Sequence, residues 1–416
     1  MQTAKPRDAG RCWSAAAGRY LPIAFAGLVL LWTPAVPAVP PGFVHPGVGH
    51  SAESIAFVRA KLEARQQPWT AARDRLMASS HASLSWAPRP RTHVERGAYN
   101  NPDVGSSDFS NDATAAHVHA VCWVLGDGEA HARKAAEILD AWSGTLESIS
   151  NHDARLLVGM SGYKFVVAAE LLKHTWDGWP REHQARFARM LREIFYPLIR
   201  DFYPSANGNW DASMIQTMLA MGVFLDDRTM FDRAKNYFLH GEGNGAIGNY
   251  LKPSGQCQES GRDQAHTQMG LDFLATACET AWIQGVDLYG ALDNRLLKGF
   301  EYTARYNLGY DVPYEPYRSY QGRYFYPRIS DRARGRLRPM YEKVFHHYHN
   351  RRGLPAPFTW QAVQRQRASL FEDEGKRGDQ DRRIRPDAAL ETLMFAGEPT
   401  REENHRHEPH GERAWR

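Results

Sequence analysis

Cysteine is scarce. Only four occur in 416 residues, Cys12, Cys122, Cys257 and Cys278, and their wide spacing excludes a disulfide framework and a structural zinc pattern. Cys122 and Cys278 fall in apolar helical stretches, where a thiol serves as a small buried hydrophobe. An excess of charge of one sign is lacking too. The 51 Lys and Arg against 47 Asp and Glu leave a net charge of +4, too little to argue for nucleic acid. That balance leaves room for a basic cleft and an acidic ligand. Also missing are a phosphate loop, a dinucleotide fingerprint, a GxSxG elbow and an HExxH helix. The sequence therefore implies no cofactor and no metal site; the histidines after residue 400 are too irregular for one.

Long apolar runs are absent, with one short exception. Lys5, Arg7, Arg11 and Arg19 precede "LPIAFAGLVLLW", residues 21–32, and Ala35 and Ala38 follow as small residues. A basic start, a short apolar run and a small-residue exit describe a secretory signal over 1–38, cleaved near Ala38. Twelve apolar residues are few for a membrane span. The expectation is a periplasmic or secreted protein with no stable membrane insertion after signal removal; an uncleaved anchor is the alternative.

From Ser51 onward helical spacing dominates. Ile55, Val58 and Leu62 recur on one face, after Ser51 or Ser54 as a cap. "DATAAHVHAVCWVL" and "EAHARKAAEILDAWSGTL" flank the turn Gly126-Asp127-Gly128, which makes a helical hairpin. Similar pairs follow through residue 308, of unequal length and with no fixed repeat. Strand-like alternation is scarce before residue 310. This predicts an all-α fold, an incomplete or complete (α/α) toroid over 39–367, with a plain helical bundle or solenoid as alternatives. Residues 310–330 are rich in tyrosine and proline and read as irregular or short-stranded. Residues 368–416 are charged, with few large apolar side chains, and read as a disordered tail.

Polar groups gather in a few places that a helical core does not require. "SANGNWDASM" places Asn209, Trp210 and Asp211 at a helix start, where Asp211 suits an N-cap. "HGEGNGAIGNYLKPSGQ" has five glycines and two asparagines, Asn244 and Asn249, and reads as a loop bordering a cleft. In "QCQESGRDQAHTQMG", Gln258, Arg262 and His266 stand at i, i+4 and i+8, on one face if the helix reaches back that far. Glu259 lies among them, and a histidine beside an arginine is a site-like arrangement. Tyr302, Tyr306, Tyr310, Tyr314, Tyr317 and Tyr320 form a tyrosine set, mostly core or rim.

This inventory suits β-elimination from a uronate. Arginine and asparagine neutralise the carboxylate as charge develops on it. Histidine and tyrosine move the C5 proton and protonate the departing O4. "NGNWDASMIQTMLAMGVFLDDRTMFDRA", "GQCQESGRDQAHTQMGL" and "DNRLLKGFEYTARYNLG" resemble the alginate-lyase superfamily of polysaccharide lyases over roughly 53–360, closest to family 38. The resemblance implies an (α/α) toroid and an acidic polysaccharide substrate: alginate first, mannuronate-rich, and glucuronan second. It implies carboxylate binding by Asn209 and Arg262. Family 5 lyases carry a histidine after that asparagine, where this chain has Trp210, so the base role passes to His266. The resemblance implies a tyrosine as acid, or as both base and acid, with Tyr302 or Tyr320 the candidate; Trp210, Gln258, Glu259, Asn249 and Tyr306 are expected to contact substrate. An (α/α)-barrel glycoside hydrolase and a non-catalytic carbohydrate-binding protein are the rival readings.

Overall fold

The computed structural model describes residues 42–371 and 386–397. The signal segment 1–38 lies outside them, as does most of the charged tail. Two short helices open the described chain, α1 (Ala52–Glu63) and α2 (Trp69–Met77). Ser51 caps α1, its side chain accepting from the Ser54 N–H while Ser54 bonds back. Strands β1 (His93–Arg96), β2 (Asp103–Val104) and β3 (Ser148–Ser150) form a small sheet of order β2-β1-β3. This sheet is an addition to the all-helical expectation, too short to show a period of two.

The rest is helical hairpins. α3 (Ser106–Val124) pairs with α4 (Glu129–Thr145). α5 (Ala154–Leu157) runs through a π turn at Val158–Gly162 into α6 (Tyr163–Thr175). α7 (Arg181–Met190) and α8 (Tyr196–Ile199) follow. Next come the pair α9 (Gly208–Phe224) and α10 (Arg228–His240), and the short α11 (Ile247–Tyr250). α12 (Gln264–Ile283) packs on both α9 and α13 (Ala291–Asn307). The tyrosine-rich stretch carries the two-stranded β4 (Tyr317–Arg318) and β5 (Phe325–Tyr326). α14 (Tyr341–Phe345), α15 (Pro357–Phe371) and α16 (Pro386–Phe395) complete the set. The helical repertoire and pairing are those of an (α/α) toroid.

α16 corrects the reading of residues 368–416 as wholly disordered. Ala389 and Leu393 are fully buried, so one apolar face inside a charged stretch is enough to dock a helix. Among the described residues no helix is long and apolar enough to cross a membrane. Cys122, Cys257 and Cys278 are free and buried.

α9 is the central element. Every one of its residues is buried, as expected of a helix apolar on all sides. Its polar side chains must therefore find partners within the protein. The Ser213 hydroxyl donates to the Trp210 carbonyl, 2.6 Å. Gln216 Nε2 and Thr217 Oγ1 both donate to the Gly159 carbonyl, at 2.9 and 2.7 Å. That carbonyl lies in the π turn, where the i→i−4 ladder is interrupted.

Candidate functional site

The site forms where the start of α9 meets the turn before α12. The first N–H groups of α9 lack helical partners, and the next segment supplies them. Gly208 N–H donates to Gln258 Oε1 at 2.9 Å, and Asn209 N–H to Glu259 Oε2 at 3.0 Å. Gln258 Nε2 donates to Asn207 Oδ1 at 3.0 Å. Gln258 and Glu259, expected at the substrate, are instead sealed from solvent as caps of another helix. Asp211 is not the N-cap. It sits inside the first turn, and its carboxylate accepts from Tyr203 N–H and the Tyr237 hydroxyl.

Glu259 joins the two segments. Besides Asn209 it accepts from the Tyr250 hydroxyl at 2.9 Å and from Arg262 Nη1 at 2.6 Å. Burial pushes its carboxyl up, and the Arg262 charge opposes this. The guanidinium is thereby aimed by a carboxylate that is itself fixed, while Nε and Nη2 have no partner among the described residues. A fork held by one nitrogen keeps the geometry for a second carboxylate. The Asn209 side chain is the exception to the satisfied polar groups of α9. Its buried Oδ1 has no partner, and its amide makes no hydrogen bond to a described residue. An orphaned buried amide at a helix start, on a residue whose backbone N–H shares the Glu259 carboxylate with Arg262, is poised for a ligand.

The helix does not reach back to Gln258. α12 starts at Gln264, with Asp263 as N-cap accepting from His266 N–H, so Gln258, Arg262 and His266 do not share one helical face. His266 is held by its neighbour: its Nδ1 lies 2.7 Å from Asp263 Oδ2. Nδ1–H facing the carboxylate leaves the Nε2 lone pair for chemistry. Burial would raise Asp263, but hydrogen bonds from His266 hold it down at about 2. The His266 ring also borders a recess with Arg332, Arg334 and Arg336.

The tyrosines fall differently from expectation. The Tyr302 hydroxyl donates to the Pro313 carbonyl at 2.7 Å. The Tyr320 hydroxyl donates to Glu242 Oε2 at 3.0 Å, and its N–H to Asn244 Oδ1. Tyr306 lies under the Arg334 guanidinium, 4.0 Å from the ring centroid. Asn249 Nδ2 is spent on the carbonyls of Gly241, Glu242 and Gly243. Besides Tyr250, the tyrosine that reaches the polar cluster is Tyr326, whose hydroxyl lies 3.1 Å from Asn207 Oδ1. Arg262 and Glu259 both act on its ionisation. Gly261 makes this approach possible, because a Cβ there would lie 2.4 Å from the Tyr326 Cβ. Ser330 N–H donates to the Ser260 carbonyl and Gln264 N–H to the Arg332 carbonyl, so the strap after β5 runs along the turn that carries Arg262. Arg262, His266 and Tyr326 thus lie along one run of packed chain, and Tyr326 meets Asn207 at the start of α9.

Trp210 stands edge-on to Tyr203 and His152, with ring centroids 5.5 Å away in each case. His152 Nδ1 lies 2.6 Å from Asp153, and Arg323 reaches the Tyr203 hydroxyl. His152, Tyr203, Arg323 and Tyr326 were not singled out from the sequence. The only signal for Tyr326 was its place in the alternating "RYFYPR", just beyond the tyrosine set.

Comparison with known proteins agrees with this geometry. A family model described as alginate lyase matches residues 61–311. An alginate lyase from Bacteroides ovatus superposes with a TM-score of 0.60 at 12% identity, over 85% of this chain and 100% of that one. Alginate lyase A1-III from Sphingomonas species A1 gives 0.58 at 12% identity, over 87% and 99%. An A1-III variant with a histidine replaced by alanine, complexed with tetrasaccharide, gives 0.51 at 15% identity, over 64% and 79%. No curated protein sequence matches the chain. The structural likenesses, at such identities, speak for the toroid; the family match spans more than half of the 416 residues. The chain belongs to the alginate lyase family and is a polysaccharide lyase.

Proposed function

We propose that the protein cleaves alginate, mannuronate-rich chains first and glucuronan second, by β-elimination that leaves a 4,5-unsaturated uronate end. The observation that carries this reading is the unpartnered Asn209 amide on a residue that shares the Glu259 carboxylate with the Arg262 guanidinium. Together they can take a uronate carboxylate by two hydrogen-bonding arms. Neutralising that carboxylate acidifies the C5–H, because the developing charge is met by fixed donors. His266 Nε2 takes the C5 proton, with the imidazolium steadied by Asp263. The C5–H electrons become the C4=C5 double bond, the C4–O4 bond breaks, and Tyr326 gives its proton to O4. Burial first, then Glu259, push the Tyr326 hydroxyl well above its ordinary value, which keeps it protonated and suited to the acid role. No metal step is required.

The choice of polymer turns on stereochemistry. In mannuronate and glucuronate H5 and O4 lie on one face of the ring, while in guluronate they lie on opposite faces. A base and an acid on the same side of the ring would suit the first case, and on opposite sides the second. Trp210, Tyr203 and Arg323 would form the neighbouring subsites, by aromatic stacking and charge. Segment 1–38 supports export to the periplasm or medium, where such polymers are met.

The test is incubation with polymannuronate, polyguluronate and glucuronan, following the ultraviolet absorbance of the unsaturated end. The expected order is polymannuronate, glucuronan, polyguluronate. Silence on all three would overturn the reading. New reducing ends without unsaturation would point to hydrolysis.

A further inference from the structure

Arginines crowd the strap after β5: Arg328, Arg332, Arg334, Arg336 and Arg338. Surface loops are ordinarily mobile. This one is held from beneath by three amide side chains of α12 and α13 that are sealed from solvent, Gln264, Gln268 and Asn307. Gln264 N–H donates to the Arg332 carbonyl at 2.9 Å, and its Nε2 to the Ser330 carbonyl at 3.0 Å. Gln268 Nε2 donates to the Arg336 carbonyl at 3.0 Å, while its Oε1 accepts from the Arg338 N–H at 2.9 Å. Asn307 Oδ1 accepts from the Gly335 N–H at 3.1 Å, and its Nδ2 donates to Gln264 Oε1 at 3.0 Å. Between these clamps Ala333 takes a φ of 63°, in the left-handed region that a residue with a Cβ seldom adopts. Such a conformation persists where the surroundings over-determine it, and the clamps on both sides do so.

The clamps use backbone groups and leave the guanidinium groups for other work. Arg334 is spent, its Nε and Nη2 donating to the Tyr306 and Tyr310 carbonyls, both at 2.9 Å. Arg332 and Arg336 are exposed, and their guanidinium groups have no partner among the described residues. Both line one recess with His266 and Asp263. Asp263 is the acid of that recess, and its two oxygens are already taken by the His266 N–H and Nδ1.

We propose that Arg332 and Arg336 form a second anion subsite, which takes the carboxylate of a uronate close along the polymer to the one whose C5 proton His266 removes. The inference rests on the elimination reading above and adds a reason for preferring contiguous acidic chains. A polyuronate carries a carboxylate on every ring, so a site that engages one at Arg262 leaves its neighbours to be met. Guanidinium forks carried on a fixed backbone meet a carboxylate with less ordering cost than forks on a mobile loop. This second carboxylate gains no charge during the elimination. Its binding therefore serves ground state and transition state alike, and its loss falls on KM rather than kcat.

The parent is compared with Arg332→Gln/Arg336→Gln and Arg332→Lys/Arg336→Lys. Arg59→Gln/Arg189→Gln, on exposed positions of α1 and α7, removes the same charge elsewhere. All of these substitutions spare the backbone groups that make the clamps. Retardation in native gels carrying polymannuronate, or its uncharged methyl ester, reads affinity; steady-state kinetics on polymannuronate reads kcat and KM. The Gln pair should bind polymannuronate about tenfold more weakly, with KM raised to match and kcat near the parent value. Its KM should depend less on salt than the parent's. The Lys pair should keep the salt dependence and recover part of the affinity, the Arg59/Arg189 control should match the parent, and the methyl ester should not separate parent from Gln pair. Equal affinity for polymannuronate in the Gln pair and the control overturns the subsite, whatever the turnover; so does a fall in kcat at unchanged KM. A parent that binds polymannuronate through the two arginines but forms no unsaturated ends keeps the subsite and overturns the elimination instead.

Discussion

Tyr326 is distinguished from the other tyrosines by what its hydroxyl touches. The Tyr302 and Tyr314 hydroxyls donate to backbone carbonyls, of Pro313 and Tyr326, and so act as struts of the irregular segment. The Tyr326 hydroxyl meets a side-chain amide within the fields of Arg262 and Glu259. Tyr326→Phe should therefore lower kcat on polymannuronate about 10²–10⁴-fold, the usual range for loss of a positioned proton donor. KM should change little, because the carboxylate contacts stay. Tyr302→Phe should leave kcat near the parent value and lower thermal stability. Steady-state kinetics on the three proteins decides; a Tyr326→Phe enzyme with parental kcat assigns the proton to another group. Arg262 and Asn209 could be picked out in the sequence because they are polar groups with no local structural use. Tyr326 could not be, since its approach depends on the Ser330–Ser260 and Gln264–Arg332 backbone bonds, which no local pattern records.

At the scale of elements, the site depends on how α9 and α12 are held. Gly270 lets the two approach: a Cβ there would fall 1.9 Å from the Tyr250 hydroxyl and 3.2 Å from the Asn209 Cα. Asp211 anchors the start of α9 from its other side. Burial pushes its carboxyl up from an ordinary 3.8 to about 6, against hydrogen bonds from Tyr203 and Tyr237. A carboxyl raised in the folded state holds its proton more tightly there than in the unfolded chain. Its stabilisation is complete below the unfolded value and is lost as pH rises through the folded one. At about 1.4 kcal/mol per pKa unit, roughly 3 kcal/mol is at stake between pH 4 and 6. Asp211→Asn does not titrate. It keeps an acceptor for Tyr203 N–H, and the Tyr237 hydroxyl can turn to accept from the new amide. The parent's Tm advantage over the variant should shrink steadily from pH 4 to pH 7 in a series of melts. A constant difference would show that Asp211 binds its proton alike in the folded and unfolded chain. The pairing of helices was legible from their periodicity and turn residues. The capping of α9 by Gln258 and Glu259 was not, because those caps come from about 50 residues away, and cap rules read only neighbours.

At the scale of the molecule, the hairpins surround a cavity of about 310 Å³ lined by His50, His117, Lys164, Glu279, Lys343, Asp387 and Glu391. α16 contributes two of these carboxylates. Asp387 pairs with Lys164 at 2.6 Å, and Glu391 with Lys343 at 3.3 Å. Lys343 also meets Asp272 at 2.6 Å and Thr276 at 3.0 Å. Burial would lower this ammonium, but the two carboxylates keep it charged, above its ordinary value. Burial likewise pushes Glu391 up while Lys343 draws it down. Lys343 thus serves two carboxyls at the cavity, and with them α16 is seated by polar pairs as well as by Ala389 and Leu393. The isolated worth of such a pair is small, because desolvation offsets attraction; removing one partner is what costs. Lys343→Met keeps the side-chain bulk and leaves Asp272 and Glu391 facing each other without a cation. It should lower stability by ~3–5 kcal/mol, seen as a lower urea midpoint at similar slope. Adding Glu391→Gln to it should restore part of the loss, since the carboxyl that Lys343 no longer steadies is then an uncharged amide. The decisive result is that partial rescue: if the double variant is no more stable than Lys343→Met alone, lost packing rather than stranded charge explains the effect.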